Sequence, residues 1–256
     1  MKKFYFVGCS GTYCDDIPDD QKNTHGWPAL VSQYHNASFV NEAMPGASND
    51  FVVSQVLQNL KKFDRYYIQW TWENRFTLYN SENWHIVNFN QQLKNTTYQH
   101  KDYFKEFGKY YYAHWSSPIF EFKKWLEKVI LLQNTLEKNN CQYLMLCAHN
   151  RLWKHLTVDK ELFVAAFAKL HNIEKISDEM TLAQCDHIQT LLHQINLENF
   201  INPNDFNLEK CIMFPVGPTK HPLHEGMRYT TDTILKFERK TFDSVLEPLR
   251  ISENSV

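Results

Sequence analysis

Glycine is scarce in this chain, with seven in 256 residues. Scarcity makes placement informative, because glycine is the residue that lets backbone turn sharply or pass close to another group. Four of the seven, Gly8, Gly11, Gly46 and Gly217, fall in three loops that follow apolar runs. Other absences set bounds. The six cysteines (Cys9, Cys14, Cys141, Cys147, Cys185 and Cys211) contain no CxxC pair, and their spacing fits neither a zinc site nor a dense disulfide framework. They are expected as free thiols of a reducing compartment, which points to a cytoplasmic protein with no metal site. No cofactor is expected. Lys and Arg number 27 against 29 Asp and Glu, with no block of like charge. That excludes the basic field of nonspecific nucleic-acid binding and gives no footing for a membrane surface. The apolar stretch after Met1-Lys2-Lys3 runs only from Phe4 to Val7, shorter than the ~7–15 residues of a signal sequence. No run approaches the ~20 apolar residues of a membrane span. There is no internal repeat, and the linkers are too short to divide the chain. One domain over 1–256 is expected, with insertions at about 76–118 and 150–208.

What the chain has in excess is aromatic residues: 18 Phe, 13 Tyr and 7 Trp. Short β-rich runs alternate with amphipathic ones. Strands are expected at 3–7 (KFYFV), 37–41 (ASFVN), 65–70 (RYYIQW), 141–148 (CQYLMLCA) and 211–216 (CIMFPV). Helices are expected at 26–35, 49–63, 118–140, 159–171, 178–197 and 224–242, with Pro28 and Pro118 suited to first turns and Ser48 or Asn49 to a cap. Residues 76–118 read as an elaborated connection carrying short helices. Alternation of strand and helix implies a mainly parallel, five-stranded sheet covered on both faces. In such a sheet, ligands bind beyond the carboxyl ends of the strands. That rule selects the loops GCSGT, EAMPGASN, TWENR, HNR and GPTKHP.

Ser10 stands one residue beyond a strand-ending glycine region, where a serine is either a turn residue bonding its own backbone or a nucleophile served by a base. His221 and His224 lie in the last selected loop, whose strand end should face Ser10. Cys9 is a second possible nucleophile, but no cation neighbours it in sequence and its side chain should point away from that of Ser10. GCSGT could also cradle a phosphate on backbone N–H groups, yet it lacks a P-loop lysine.

Taken together, these blocks resemble the SGNH (GDSL-like) hydrolases. "FVGCSGT" resembles the family's first block, "HGWPALVSQ" the Trp-Pro helix start that follows it in a phage and bacterial branch, and "NEAMPGASND" the second block. "YYIQWTWENRF" is placed like the third, and "GPTKHPLHEGMRYTTDTIL" is similar to the last. The resemblance spans about residues 3–75 and 211–236. It implies a three-layer αβα fold and hydrolysis or transfer of an acyl ester, with Ser10 as nucleophile and His221 as base. The Ser10 and Gly46 N–H groups would face the oxyanion, with Asn74, Thr71 or Asn49 completing the hole. Thr71, Trp72 and Arg75 would contact substrate, although Arg75 could equally pair with Glu73 and Asn49 could equally cap a helix. The aromatic segment suits a sugar or acyl group, or packs the insertion. A small-molecule or carbohydrate ester is the expected partner.

Two positions depart from the family. An acid is expected two or three residues before the histidine, but Pro218 and Thr219 stand there. A backbone carbonyl would then orient His221, or Asp186 would fold in. The third block also lacks an asparagine at its usual place. Both departures leave open a second reading, a catalytically degenerate module that binds a glycan or a protein partner.

Overall fold

The computed structural model describes residues 1–73, 75–79, 84–87, 106, 110–111, 114, 118–149, 179–203 and 205–242. Four parallel strands form the central sheet: β1 (Lys3–Val7), β2 (Ser38–Asn41), β3 (Arg65–Trp70) and β6 (Gln142–Cys147), in the order β2-β1-β3-β6. Strands buried on both faces read as continuous apolar runs rather than alternating ones. Phe4 to Val7 and all six residues of β3 are buried accordingly.

The pleat sorts these residues between two cores. Tyr5, Val7, Tyr66, Ile68, Trp70, Tyr143, Met145 and Cys147 join one core. It is closed by α4 (Asn49–Gln58), α5 (Pro118–Lys138) and α6 (Glu179–Leu192) through residues such as Val52, Leu126 and Ile188. Phe4, Phe6, Tyr67, Leu144 and Leu146 join the other. There α3 (Trp27–Tyr34) and α7 (His224–Phe242) close the layer through Trp27, Val31, Met227 and Ile234. The described residues therefore form a three-layer αβα sandwich. Each large apolar side chain removed from water contributes about 1.5–3 kcal/mol toward the entropy cost of ordering it.

Topology locates the crevice. The chain leaves β1 toward β2 by way of α3 on one face, then returns across β1 to β3 by way of α4 on the other. The carboxyl ends of β1 and β3 are thus the point where strand order reverses, the usual ligand position in an open α/β sheet. α1 (Ser10–Tyr13) and the Thr71–Arg75 segment both begin there.

Three expectations differ from what is seen. CIMFPV is no strand: residues Leu208–Met213 form a 3₁₀ helix, with Cys211 buried against α7 and 3.2 Å from Thr230 Oγ1. The fifth lane of the sheet is instead touched by Asn199–Ile201, where Met145 N donates to Asn199 O and Ile201 N to Met145 O. Residues 76–118, expected to carry short helices, also carry two paired strands, β4 (Phe76–Tyr79) and β5 (Trp84–Val87), beside helical residues at 106, 110–111 and 114. A helix, α2 (Asp19–His25), also stands where none was expected. The helix expected at 159–171 lies outside the described residues. Cys9, Cys14, Cys141, Cys147 and Cys211 are free thiols. Among the described residues, no helix is long and apolar enough to cross a membrane.

Candidate active site

Ser10 opens α1, a single helical turn. One amide holds this turn in place. Gln69 is a fully buried polar residue of β3, and its Oε1 accepts from Thr12 Oγ1 (2.5 Å), Thr12 N (3.1 Å) and Cys9 N (3.3 Å). Its Nε2 donates to Cys9 Sγ at 3.0 Å. Trp27 Nε1 donates to Gly11 O, and Asn41 Nδ2 to Thr12 O. Three elements, β3, α3 and β2, thereby fix one turn, and Ser10 is left half-exposed at the rim.

His221 arrives from a short turn. Lys220 N donates to Gly217 O, and Gly217 N to His221 O, each at 3.0 Å. Pro218 occupies the second position of this turn, as its fixed φ favours. The turn is gripped from outside by Asp16: its Oδ1 and Oδ2 accept from Thr219 N at 3.1 Å, and Oδ2 from His221 N at 2.8 Å. Gly217 is required for that grip, because a Cβ there would meet Asp16 Cβ and Cγ at 2.5 Å. Burial alone would raise the Asp16 carboxyl pKa. The N–H groups of His221 and Thr219, the Thr219 hydroxyl and the nearby His221 outweigh it and hold the group below its ordinary value.

His221 Nε2 lies 2.6 Å from Ser10 Oγ, and Nδ1 lies 2.7 Å from Thr219 Oγ1. Thr219 Oγ1 in turn donates to Asp15 Oδ2 at 3.4 Å. The carboxylates of Asp15 and Asp16 stand 4.0 and 3.9 Å from Nδ1. The carboxylates beside this ring therefore come from the nucleophile's own loop, ahead of α2, and not from positions 218 and 219.

The second block forms a β-turn. Ala47 N donates to Met44 O, Pro45 and Gly46 are the central residues, and Gly46 has φ 78°. Proline followed by a left-handed glycine is the signature of a type II turn. The turn's own bond uses the Ala47 N–H and leaves the Gly46 N–H unspent by it. Met44 N donates to Gly8 O at 3.1 Å, which docks this turn against the end of β1.

Two expected substrate-facing residues are committed elsewhere. Asn49 is 1 % exposed. Its Nδ2 donates to Thr71 O and Trp72 O, and its Oδ1 accepts from Thr71 N at 2.9 Å. An amide with both protons spent on backbone has none for an oxyanion, so Asn49 is a clamp that joins α4 to the end of β3. Nor does Asn49 cap α4: Ser48 does, accepting from Phe51 N. Thr71 is 2 % exposed and accepts from Arg75 Nη1 at 2.6 Å, so it places Arg75 rather than facing solvent. Trp72 stacks on His149 at 3.9 Å between ring centroids, and His149 Nε2 lies 3.4 Å from Glu73. Among the described residues, Arg75 has no ion-pair partner, so Glu73 does not consume its charge. Asn74 lies outside the described residues.

Cys9 departs from expectation in one respect. Its Sγ lies 4.0 Å from Ser10 Oγ. Burial pushes its thiol pKa up, but the Arg75 guanidinium and hydrogen bonds from Gly11, Gln69 and Thr71 bring it below the ordinary thiol value. The cation is 66 positions away in sequence, so no local reading could find it. Among the described residues, no group of three or more His, Cys, Asp or Glu side chains is placed to hold a metal ion.

Sequence missed Gln69, Asp15, Asp16 and Thr219. Gln69 had a signal, as the lone uncharged polar side chain in the apolar run RYYIQW. The others had none, since Asp16 and Thr219 meet only through the fold.

Ser10 and His221 thus meet at the switch point of an αβα sheet. No known family's sequence profile matches the chain, and no curated protein matches it. Among solved structures, the chain is similar to Axe2, an acetyl-xylooligosaccharide esterase from Geobacillus, with 13 % identity, TM-score 0.47, and 92 % of this chain and 93 % of that one covered. It is also similar to TesA, with 11 % identity, TM-score 0.48, and 94 % and 100 % covered. A third is the acetyl xylan esterase AlAXEase, with 11 % identity, TM-score 0.42, and 91 % and 98 % covered.

Proposed function

We propose that this protein is a serine esterase of the SGNH (GDSL-like) type, acting on an acyl ester. The observation that carries this reading is the 2.6 Å contact between Ser10 Oγ and His221 Nε2 at the carboxyl edge of the sheet. For Nε2 to take the serine proton, the ring must carry its own proton on Nδ1, and Thr219 Oγ1 at 2.7 Å is placed to receive that N–H.

The chemistry follows from these atoms. Ser10 Oγ bonds to the ester carbonyl carbon as its proton passes to His221 Nε2. The carbonyl oxygen becomes an oxyanion facing the N–H groups of Ser10 and Gly46. The bond to the leaving alkoxide breaks, and Nε2 returns the proton to it. An acyl group remains on Ser10, and water or a sugar hydroxyl removes it by the same steps. Losing one such oxyanion donor typically costs ~10²–10³ in rate. Arg75 and the Trp72 ring supply a cation and an aromatic face for the rest of the substrate, which suits an acetylated sugar or a small ester bearing an acidic group. The reading of a degenerate binding module rested on two departures, the lack of an acid before His221 and the altered third block. The Asp15 and Asp16 carboxylates, 4.0 and 3.9 Å from Nδ1, speak against the first of these.

Hydrolysis of short p-nitrophenyl esters and peracetylated sugars tests the reading. Activity is expected on acetyl esters and should fall by at least about 10³-fold in Ser10→Ala. No turnover on any short acyl ester, with measurable sugar binding, would favour the binding module instead.

A further inference from the structure

Ser10 and His221 make a pair, but the ring also needs something behind it. The base works only if the imidazole keeps one tautomer and if the charge it gains is answered nearby. Pro218 and Thr219 occupy the place where an acid would do this from the same loop. The structure places there the Thr219 hydroxyl, with a carboxylate from the loop after α1 behind it.

We propose that Thr219 and Asp15 together act as the third member of this site, with the Thr219 hydroxyl relaying between His221 and the Asp15 carboxylate. The proposal rests on the esterase reading above. Its support is directional. With the ring protonated on Nδ1, as the esterase reading requires, Nδ1–H donates to Thr219 Oγ1 at 2.7 Å, and that oxygen's own proton points elsewhere. Its acceptor by hydrogen-bond geometry is Asp15 Oδ2 at 3.4 Å, and the Asp16 carboxylate also faces this hydroxyl. A hydroxyl has one donor and two acceptor sites, so both bonds coexist without conflict. The chain of donors runs one way, from Ser10 through His221 and Thr219 to Asp15. No proton need leave His221 toward Thr219; the relay holds the tautomer, and the carboxylates answer the imidazolium charge.

The two aspartates divide the work. Asp16 has a side chain only 4 % exposed and is occupied by two backbone N–H groups, so it fixes where the His221 turn sits. Asp15, at 27 % side-chain exposure, accepts from Thr219 Oγ1 and has no backbone to hold in this turn. Thr219 and Asp15 are thus positioning residues that act through His221.

The test is the rate at which Ser10 is modified by a fluorophosphonate probe, with kcat and KM on p-nitrophenyl acetate. Thr219 is exposed, so Thr219→Val should fold as the parent does, and a thermal scan checks that. Thr219→Val and Asp15→Asn should each lower the labelling rate and kcat by about tenfold or more, with KM within about threefold. Thr219→Ser keeps the hydroxyl and should stay within about threefold of wild type. The double variant should lose little more than either single, because both interrupt one chain. Wild-type kcat in Thr219→Val, an equal loss in Thr219→Ser, or additive losses in the double variant would overturn the relay alone. A wild-type protein that neither reacts with the probe nor hydrolyses esters would overturn the relay and the esterase reading together.

Discussion

At the scale of single residues, Gln69 decides whether Ser10 is presented at all. Its carbonyl oxygen accepts three hydrogen bonds from Cys9 and Thr12 inside a core that water does not reach. Replacing it with Leu keeps the volume but leaves buried donors without partners, and each unsatisfied group costs about 1–3 kcal/mol. Gln69→Leu should therefore lose about 3 kcal/mol of stability by urea titration and most of its reactivity at Ser10. A variant as stable as wild type would mean that the turn is held by something else. The same residue shows how legible the site was at this scale. Ser10, His221 and Gly46 were legible as candidates, because a serine, a histidine and a Pro-Gly pair at strand ends carry local signatures. Asn49 and Thr71 did not. An amide that feeds an oxyanion and an amide that clamps a strand have the same sequence, and only the partners tell them apart.

At the scale of elements, the turn at Gly217–His221 depends on a carboxylate from another loop. Asp16 is held below its ordinary pKa, so its charged form is the one that binds the turn. A depressed carboxyl contributes stability that is present above its unfolded pKa of 3.8 and is lost as pH falls through the lower folded value. Asp16→Asn should thus be less stable by about 2 kcal/mol at pH 7, in line with hydrogen bonds to a charged group. The deficit should stay level down to about pH 5 and close below about pH 4. A deficit unchanged at pH 3 would show that the charge is not what grips the turn. The misread element makes a related point. CIMFPV is a short apolar run, and such a run is compatible with a buried strand or a buried helical turn. Contact with α7 chose the helical turn, and that contact is not written in the six residues.

At the scale of the whole molecule, Glu238 of α7 ties the last helix to the start of the sheet. Its carboxylate accepts from Arg65 Nη1 (2.6 Å) and Tyr67 OH (2.7 Å) and lies 2.8 Å from His35 Nε2 at the end of α3. Burial disfavours its charge, but His35, Arg65 and Tyr67 more than offset that and hold its pKa below the ordinary value. Glu238→Gln removes the carboxylate charge that faces the buried Arg65 guanidinium, and breaking a buried ion pair from one side typically costs about 3–5 kcal/mol. Chemical denaturation should show a loss of that size, and a loss under about 1 kcal/mol would contradict the account. The layered α/β architecture was legible because strand and helix periods alternate over long stretches. Which loop supplies the carboxylates behind His221 was not, because Asp16 and His221 are 205 residues apart and meet only when the sheet forms.

Intact-mass analysis after exposure to a fluorophosphonate probe tests the central claim most directly, since it asks whether Ser10 is a nucleophile served by His221. The account predicts a single adduct that maps to Ser10, is absent in Ser10→Ala and forms far more slowly in His221→Ala. An adduct that persists in Ser10→Ala, or a wild-type protein that takes up none, would contradict it.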